Sequence, residues 1–172
     1  MSRYNPCVAK TTSEERAKLR IVREGSLEQG REEAWRTLIT AHAAAVERIE
    51  RELWEAGLPP LGWYDVLLEL SVAPGYRLRM HELARAVVLS RSGLTRLVDR
   101  LEKAGLLCRE PDPEDGRGSF AVLTDEGVRM REKMWPVYAG GIARHFGAHI
   151  SDEEAEVLTQ ALGRVRAAAR PS

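Results

Sequence analysis

The stretch that decides the fold is SRSGLTRLVDRLEK, residues 90–103. Its apolar residues recur at three- and four-residue intervals, which is the spacing of one face of an α-helix. These residues are Leu94, Leu97, Val98 and Leu101. Ser90 stands where a helix N-cap is expected, and Gly105 follows the last apolar position as a terminator. We therefore predict an amphipathic helix with a buried leucine face and an exposed polar face that includes Thr95 and Arg96.

Two more helices and a hairpin are predicted around this stretch. Before it, helical spacing recurs in two short runs separated by the turn-forming pair Pro74-Gly75. The two runs carry Trp63, Val66, Leu67 and Leu70, then Met80, Leu83, Ala84 and Val87. After it, β-prone residues 106–109 and 119–123 enclose the turn-rich residues 110–118, which indicates a hairpin. Two short helices followed by a hairpin predict a helix-turn-helix with a wing, in a mainly α fold.

Further helices are predicted on both sides of this winged part. A long helix covers about residues 32–55, preceded by an N-terminal arm and a short helix in residues 1–30. After the hairpin, Thr124 is the expected N-cap of another helix. A capping box formed by Ser151 and Glu154 opens the last helix. The apolar face of that helix is Leu158, Ala161, Leu162 and Val165.

The net charge is zero, but positive charge is concentrated in the winged part. The chain has 26 basic and 26 acidic residues. Between Arg77 and Arg109, however, eight basic residues face only three acids. Because screening limits the reach of each charge to about 8 Å, a phosphate backbone would respond to this local excess. A solvated basic face is the alternative explanation of the same count.

The polar face of the predicted helix carries side chains that can recognise DNA. Hydroxyl groups and arginines bind base edges and phosphates, and the first turns of a recognition helix enter the major groove. Those turns offer Ser90, Arg91, Ser92, Thr95 and Arg96. Asp99 is unfavourable near DNA, but it stands four residues before Lys103, and we expect the two to neutralise each other. The alternative is a surface helix with an ordinary polar face.

The predicted wing loop is acidic, which bears on whether it can bind DNA. Its acids are Glu110, Asp112, Glu114 and Asp115, and its one cation is Arg117. We expect Asp115 to pair with Arg117 and orient its guanidinium at the tip of the wing. A narrow minor groove would attract a guanidinium placed there. If the acids dominate instead, the same helices would form a module that binds another protein.

Five segments of the chain resemble the MarR family of bacterial regulators, over about residues 63–127. They are Leu78-Arg-Met-His-Glu-Leu-Ala84, Ser90-Arg-Ser-Gly-Leu-Thr-Arg-Leu-Val-Asp-Arg-Leu-Glu102, Gly105-Leu-Leu107, Pro113-Glu-Asp-Gly-Arg-Gly118 and Leu123-Thr-Asp-Glu-Gly127. The resemblance implies a winged helix-turn-helix with a small β-hairpin wing, in an obligate dimer formed by the N- and C-terminal helices. The family wing usually reads Asp-Arg-Arg, whereas this chain has Asp115-Gly116-Arg117, so one cation is lost.

What the resemblance implies about function is a sequence-specific regulator that binds double-stranded DNA at an inverted-repeat operator as a homodimer. The implied parts are the N-terminal arm and short helix (1–30), a dimerisation helix (31–60), the DNA-binding lobe (61–124) and the C-terminal dimerisation helices (125–172). The implied DNA-binding residues are Arg79, Ser90, Arg91, Ser92, Thr95, Arg96 and Arg117, with Asp115 orienting the wing arginine. We expect a repressor that a small aromatic ligand releases.

Many relatives bind small aromatic acids or phenols in a cleft between the dimer helices and the DNA-binding lobe. The candidate ligand-binding residues in this chain are Trp35, His42, Trp63, Tyr64 and Asp65. Trp35 and His42 also fit an apolar helical stripe, so core or dimer contacts are the alternative for these two. A urate-responsive branch places an acid near Asp65 but an arginine where Leu97 stands, so urate is not assigned.

The sequence predicts no catalytic site, cofactor or metal centre. Cys7 and Cys108 form neither a disulfide framework nor a metal cluster, although a redox-responsive regulator that uses one of these thiols is an alternative. His145 and His149 have a metal-compatible spacing, but no third ligand joins them. There is no Gly-rich phosphate loop and no nucleophile elbow.

The two cysteines form no disulfide framework, so we expect a protein of the reducing cytoplasm. Hydrophobic residues make up 44% of the chain and charged residues 30%, as in ordinary soluble proteins. No apolar run approaches the ~18 residues that a membrane span needs. The first twenty residues lack the apolar core of a secretion signal.

Overall fold

The computed structural model describes residues 29–87, 91–113 and 118–169, without the side chains of Arg91 and Ser92. Several sequence-based predictions therefore lie outside the described residues. They concern the N-terminal arm and short helix, Cys7, Ser90, Asp115, Arg117 and the side chains of Arg91 and Ser92.

The described residues form six α-helices and three β-strands. The helices are α1 (Gln29–Glu55), α2 (Leu61–Val72), α3 (Met80–Ala86), α4 (Arg91–Lys103), α5 (Asp125–His145) and α6 (Asp152–Ala169). The strands are β1 (Arg77–Arg79), β2 (Leu107–Pro111) and β3 (Ser119–Leu123). The chain divides into two compact units, residues 1–42 and 43–172, with the boundary inside α1. None of the helices described here combines the length and the hydropathy needed to cross a membrane.

Side-chain caps fix the helix ends at the predicted positions. The Thr124 hydroxyl accepts a hydrogen bond from the Gly127 N–H at 3.1 Å, which caps the beginning of α5. Before α6, the Glu154 N–H donates to the Ser151 hydroxyl at 3.2 Å, and the Ser151 N–H donates to the Glu154 carboxylate at 2.8 Å. This reciprocal pair is the predicted capping box. After α4, Gly105 has a φ of +73°, a conformation that glycine adopts without strain.

The sheet has three antiparallel strands, one more than the predicted hairpin. Strands β2 and β3 form that hairpin, and β1 pairs with the other edge of β3, giving the order β1-β3-β2. The prediction of a two-stranded wing was incomplete because a three-residue strand is too short to show an alternating pattern. Since β1 leads directly into α3, backbone hydrogen bonds join the wing to the beginning of the helix-turn-helix.

The core of the winged part confirms the predicted buried face of α4. Leu94, Leu97, Val98 and Leu101 are all buried. They pack in one cluster with side chains of α2, α3, β2 and β3. Burial of a leucine or valine side chain stabilises a fold by about 1.5–3 kcal/mol, so this row alone fixes the rotation of α4 about its axis.

A second core holds α5 against α2 and the end of α1. Its buried members are Ile49, Leu53, Leu61, Tyr64 and Met134. The beginning of α5 approaches the turn after α4 so closely that only glycine fits at position 127. A Cβ atom there would lie 2.1 Å from the Leu106 carbonyl oxygen and 2.7 Å from Leu123 Cδ1. This approach explains why the segment after Leu123 contains Gly127.

Candidate nucleic-acid interface

Helix α4 turns its polar face outward, as predicted from its spacing. Thr95, Arg96, Asp99, Arg100 and Lys103 are exposed, while the leucine row on the other face is buried. Among the residues that the structure describes, Arg96 has no carboxylate partner. The face therefore presents a hydroxyl group and an uncompensated guanidinium in its first two turns. Their role in contacting DNA stays a prediction.

Asp99 pairs with Arg109, and the predicted pairing with Lys103 was wrong. The Arg109 Nη2 lies 2.6 Å from Asp99 Oδ1, and its Nη1 donates to the Glu102 carboxylate. The Arg109 backbone N–H also donates to Glu102, at 3.0 Å. Asp99 binds Arg109 of strand β2 instead of Lys103, four residues further along α4. The planar Arg109 guanidinium can bind two carboxylates at once. Arg109 thus ties the exposed side of α4 to the wing and neutralises Asp99.

Arg79, a predicted DNA contact, is engaged within the protein. Its Nε donates to Asp112 Oδ2 at 2.6 Å, and the Asp112 side chain is only 2% exposed. The Asp112 backbone N–H donates to the Gly118 carbonyl at 3.1 Å, where the two wing strands approach each other. This ion pair could not be predicted from local spacing because its two partners are 33 residues apart in the chain.

A second arginine of β1 interacts with the wing through an aromatic ring. The Arg77 guanidinium lies 3.9 Å from the centre of the Phe120 ring, and that of Arg79 lies 5.3 Å from it. Arg77 also pairs with Glu110 at 3.4 Å, although both side chains are exposed and such pairs stabilise little. Two of the four wing acids, Glu110 and Asp112, are therefore neutralised. Because these two acids neutralise Arg77 and Arg79, they also reduce the excess of positive charge counted between Arg77 and Arg109 by two.

The five candidate ligand-binding residues are divided between the two units, and Trp63 and Tyr64 of the second unit are divided between two cores. Trp35 and His42 lie in the first unit and are exposed, Trp35 by 57%, so core packing for Trp35 was a wrong alternative within the described chain. Trp63 packs against the core of the winged part, whereas its neighbour Tyr64 is buried in the second core. Asp65 is half-buried.

Tyr64 lies in an aromatic cluster that sequence reasoning missed. Its ring centre is 4.8 Å from that of Tyr138 and 6.1 Å from that of Trp135. The positive charge of Arg131 acts on Tyr64, and the buried Arg131 Nε has no hydrogen-bond partner among the described residues. Arg131, Trp135 and Tyr138 recur at i, i+4 and i+7 on α5, and that spacing was the available signal.

Burial raises the pKa of three acidic groups in or beside this cluster. Asp65 has its pKa raised from 3.8 first by burial and then by repulsion from Glu69 and Glu50. Burial also raises the pKa of Tyr64, against the attraction of Arg131, and it raises the pKa of Tyr138. An ionised Asp65 is thus unfavourable where it stands. Acids kept in such positions are candidates for functional residues.

The histidine and the cysteine that the sequence analysis considered as metal ligands or redox groups do not form a site among the described residues. The His145 Nε2 lies 2.8 Å from the Glu52 carboxylate, which Arg144 also binds at 2.5 Å. These bonds lower the pKa of Glu52, the one from Arg144 most and the one from His145 next. Cys108 is an exposed free thiol on β2. Within the described ranges, no group of three His, Cys, Asp or Glu residues could hold a metal ion.

Comparison with known proteins gives relatives that are transcriptional regulators. The profile described as MarR family matches residues 56–118. An uncharacterized HTH-type transcriptional regulator of Bacillus subtilis (strain 168), YkoM, is 31% identical over 124 residues, which are 72% of this chain and 79% of the relative. The structure of Sco3205, a MarR family transcriptional regulator from Streptomyces coelicolor in complex with DNA, is similar with 32% identity and a TM-score of 0.77. The match covers 86% of this chain and 92% of Sco3205. AbsC, a MarR family regulator from the same organism, matches with 33% identity and a TM-score of 0.72, over 82% of this chain and 95% of AbsC.

The fold, the outward face of α4 and these relatives define the class of protein. It is a winged helix-turn-helix transcriptional regulator and not an enzyme. Within that class, the chain belongs to the MarR family.

Proposed function

We propose that this chain binds double-stranded DNA sequence-specifically as a homodimer, with α4 in the major groove and the wing beside it. The observation that carries the proposal is the two-sided α4, which buries its leucine row and exposes Thr95 and Arg96. A 32% identical relative was crystallised with DNA, which supports the same use of the fold. Ser90, Arg91 and Ser92 would act at the beginning of α4, and Arg117, oriented by Asp115, at the wing.

The first experiment selects DNA with the unaltered chain from a library of random duplexes. We expect enrichment of an inverted repeat whose half-sites lie about one helical turn apart, because a two-fold dimer presents two copies of α4. Binding should weaken by orders of magnitude between about 50 and 200 mM salt, because phosphate contacts release counterions. No enrichment, or binding of another protein that barely responds to salt, would favour the interaction module instead.

The second experiment assigns the specificity to Arg96. Arg96→Ala should lose about 1–3 kcal/mol of discrimination between the selected duplex and an unselected one. The matched control is Arg129→Ala, which removes the same charge from a residue that pairs with Glu126 within α5. Equal discrimination by Arg96→Ala and the unaltered chain would contradict the assignment.

Exposed apolar faces on α6 and α1 support the homodimer. Val157, Leu158, Leu162 and Val165 of α6 are 36–66% exposed. Ile150 and the first half of α6 line an open groove of about 390 Å³. In the first unit, α1 exposes Trp35 and Ile39. Contiguous apolar surface of this kind marks interaction sites, and its burial contributes about 25 cal/mol per Å².

We further propose that the chain is a repressor released by a small aromatic acid or phenol at the Tyr64 cluster. The rings of Tyr64, Trp135 and Tyr138 offer stacking, and the buried Arg131 Nε lacks an acceptor among the described residues. An unsatisfied buried donor costs about 1–3 kcal/mol. A carboxylate or phenolate oxygen of the ligand would accept a hydrogen bond from this Nε and remove that cost. Asp65 and Trp63, the sequence neighbours of Tyr64, stay candidates for further contacts to this ligand.

Three probes of matched shape test this ligand class. Benzoate should quench tryptophan fluorescence and weaken binding to the selected duplex. Benzamide, which lacks the negative charge, and cyclohexanecarboxylate, which lacks the aromatic ring, should do so much less. Arg131→Gln should abolish the preference for benzoate over benzamide, whereas Arg129→Gln, two residues earlier on α5, should keep it. Equal responses to all three probes would overturn the proposed ligand class.

A further inference from the structure

We infer that the Arg79–Asp112 ion pair is a positioning device that sets the wing against the beginning of α3, and that Arg79 acts on DNA only through the wing. This inference rests on the proposed DNA-binding function and adds to it a pair of residues that positions the wing without contacting DNA.

Arg79 connects three parts of the winged unit. It is the last residue of β1, and its backbone N–H donates to Glu82 in the first turn of α3 at 2.9 Å. Its register partner on β3 is Phe120, and its guanidinium lies near that ring. Its Nε donates to Asp112 at 2.6 Å. Arg79 therefore contacts both the wing and the first turn of α3.

Asp112 lies where β2 ends and the connection to β3 begins. It follows the last residue of β2, and its backbone N–H bonds to the Gly118 carbonyl at 3.1 Å. These two residues flank the segment 113–117 that joins the wing strands. Because its side chain is 2% exposed, the carboxylate depends on a partner inside the protein. Loss of the Arg79 charge would leave this buried carboxylate uncompensated, which is strongly unfavourable, whereas the Arg79 side chain is itself 35% exposed.

Electrostatics alone and the positioning role predict opposite effects for the loss of the Asp112 charge. Removal of an acid from a surface that binds phosphate reduces repulsion, so any duplex should bind more tightly. If Arg79 were itself a phosphate contact, the loss of Asp112 would also release its guanidinium for that contact. If the pair positions the wing, the same substitution should weaken binding to the selected duplex although the protein becomes more positive.

The experiment compares Asp112→Asn with Glu110→Gln, which removes one negative charge from the exposed pair with Arg77 on the same wing. Binding constants are measured by fluorescence anisotropy for the selected duplex and for an unselected duplex of equal length. We expect Asp112→Asn to bind the selected duplex about tenfold more weakly, the scale of one lost specific contact. Glu110→Gln should stay within about threefold of the unaltered chain, as for other exposed pairs. On the unselected duplex, neither variant should bind more weakly.

Footprints separate a positioning role from a general loss of structure. In Asp112→Asn, hydroxyl-radical protection at the edges of each half-site should disappear, while protection of guanine N7 in the major groove under α4 remains. Arg79→Lys keeps the charge but not the fixed guanidinium geometry, so it should show the same selective loss to a smaller extent. If Asp112→Asn melts below the assay temperature, Arg79→Lys decides the question by the same footprint.

Two results would overturn the inference while leaving the proposed function intact. One is equal or tighter binding of the selected duplex by Asp112→Asn. The other is an unchanged footprint in both variants. If the unaltered chain selects no duplex at all, the proposed function itself fails, and this inference fails with it.

Discussion

Helices α4 and α6 carry the same apolar spacing, yet they end in opposite environments. The leucine row of α4 is at most 5% exposed, because α2, α3 and the sheet cover it within one chain. In the corresponding row of α6, Leu158, Leu162 and Val165 are at least 36% exposed, and Val157 beside Leu158 reaches 66%. A helical apolar stripe thus predicts that a face will be covered, but not which chain covers it. The core of the winged part is covered within one chain, whereas the other described residues leave the apolar face of α6 exposed.

The largest effect is expected when the face of α6 is made charged. Leu158→Asp combined with Leu162→Asp would place two carboxylates in the proposed dimer interface, at a cost of several kcal/mol each. We expect the mass measured by light scattering to fall from two copies of the chain to one. The near-ultraviolet circular dichroism of the winged part should not change. A mass of two copies in this variant would refute the role given to α6.

The next effect concerns the core under α4. Leu101→Ala should lower the free energy of unfolding by about 2–5 kcal/mol, because a cavity would remain in a closed core. This loss, measured by urea unfolding, should be the same at all protein concentrations. Leu162→Ala is the matched substitution on α6, and its effect should depend on protein concentration, since it acts through the second copy. The same dependence on protein concentration in both variants would contradict the contrast drawn between α4 and α6.

A smaller effect is expected at the junction of α4 and β2. Arg109→Lys keeps the positive charge but cannot bind Asp99 and Glu102 together, so about 1 kcal/mol of stability should be lost. Since α4 would no longer be tied to the wing at its exposed side, binding to the selected duplex should weaken as well. Arg77→Lys, in the exposed pair with Glu110, serves as the control and should leave both quantities nearly unchanged. An equal loss in the two variants would show that Arg109 has no special role.

The smallest effects concern two carboxylic acids whose pKa values are shifted in opposite directions. The raised pKa of Asp65 means that its ionised form destabilises the fold above that pKa, and the penalty vanishes below about pH 3.8. The lowered pKa of Glu52 means that its stabilising bonds are present above about pH 4.5 and are lost as the pH falls. At neutral pH, Asp65→Asn should therefore raise the free energy of unfolding, and Glu52→Gln should lower it. Urea unfolding across the acidic range should show both differences shrinking towards low pH, and a shift of the same sign for both would contradict the account.

The parts of the fold that local spacing determines could be predicted from the sequence. The buried face of α4, the cap at Thr124 and the capping box at Ser151 all depend on residues within one or two helical turns. Strand β1 and the pairs of Arg79 and Arg109 could not be predicted in this way. They join residues brought together only by the folded sheet.

The candidate ligand site shows the same limit more sharply. Trp63 and Tyr64 are neighbours in sequence, but successive residues of a helix point in different directions. As a result, Trp63 packs in one core and Tyr64 in the other. The rings that surround Tyr64 come from α5, on which the sequence analysis had assigned no ligand contact.

The central claim is that the polar face of α4 meets DNA, and protection of a thiol on that face tests it most directly. In a background with Cys7→Ser and Cys108→Ser, Thr95→Cys on α4 and Glu132→Cys on α5 are alkylated with iodoacetamide, with and without the selected duplex. Both positions are exposed in the chain alone. The duplex should slow alkylation at position 95 severalfold and leave position 132 unchanged. Equal rates at position 95 with the duplex bound would contradict the account.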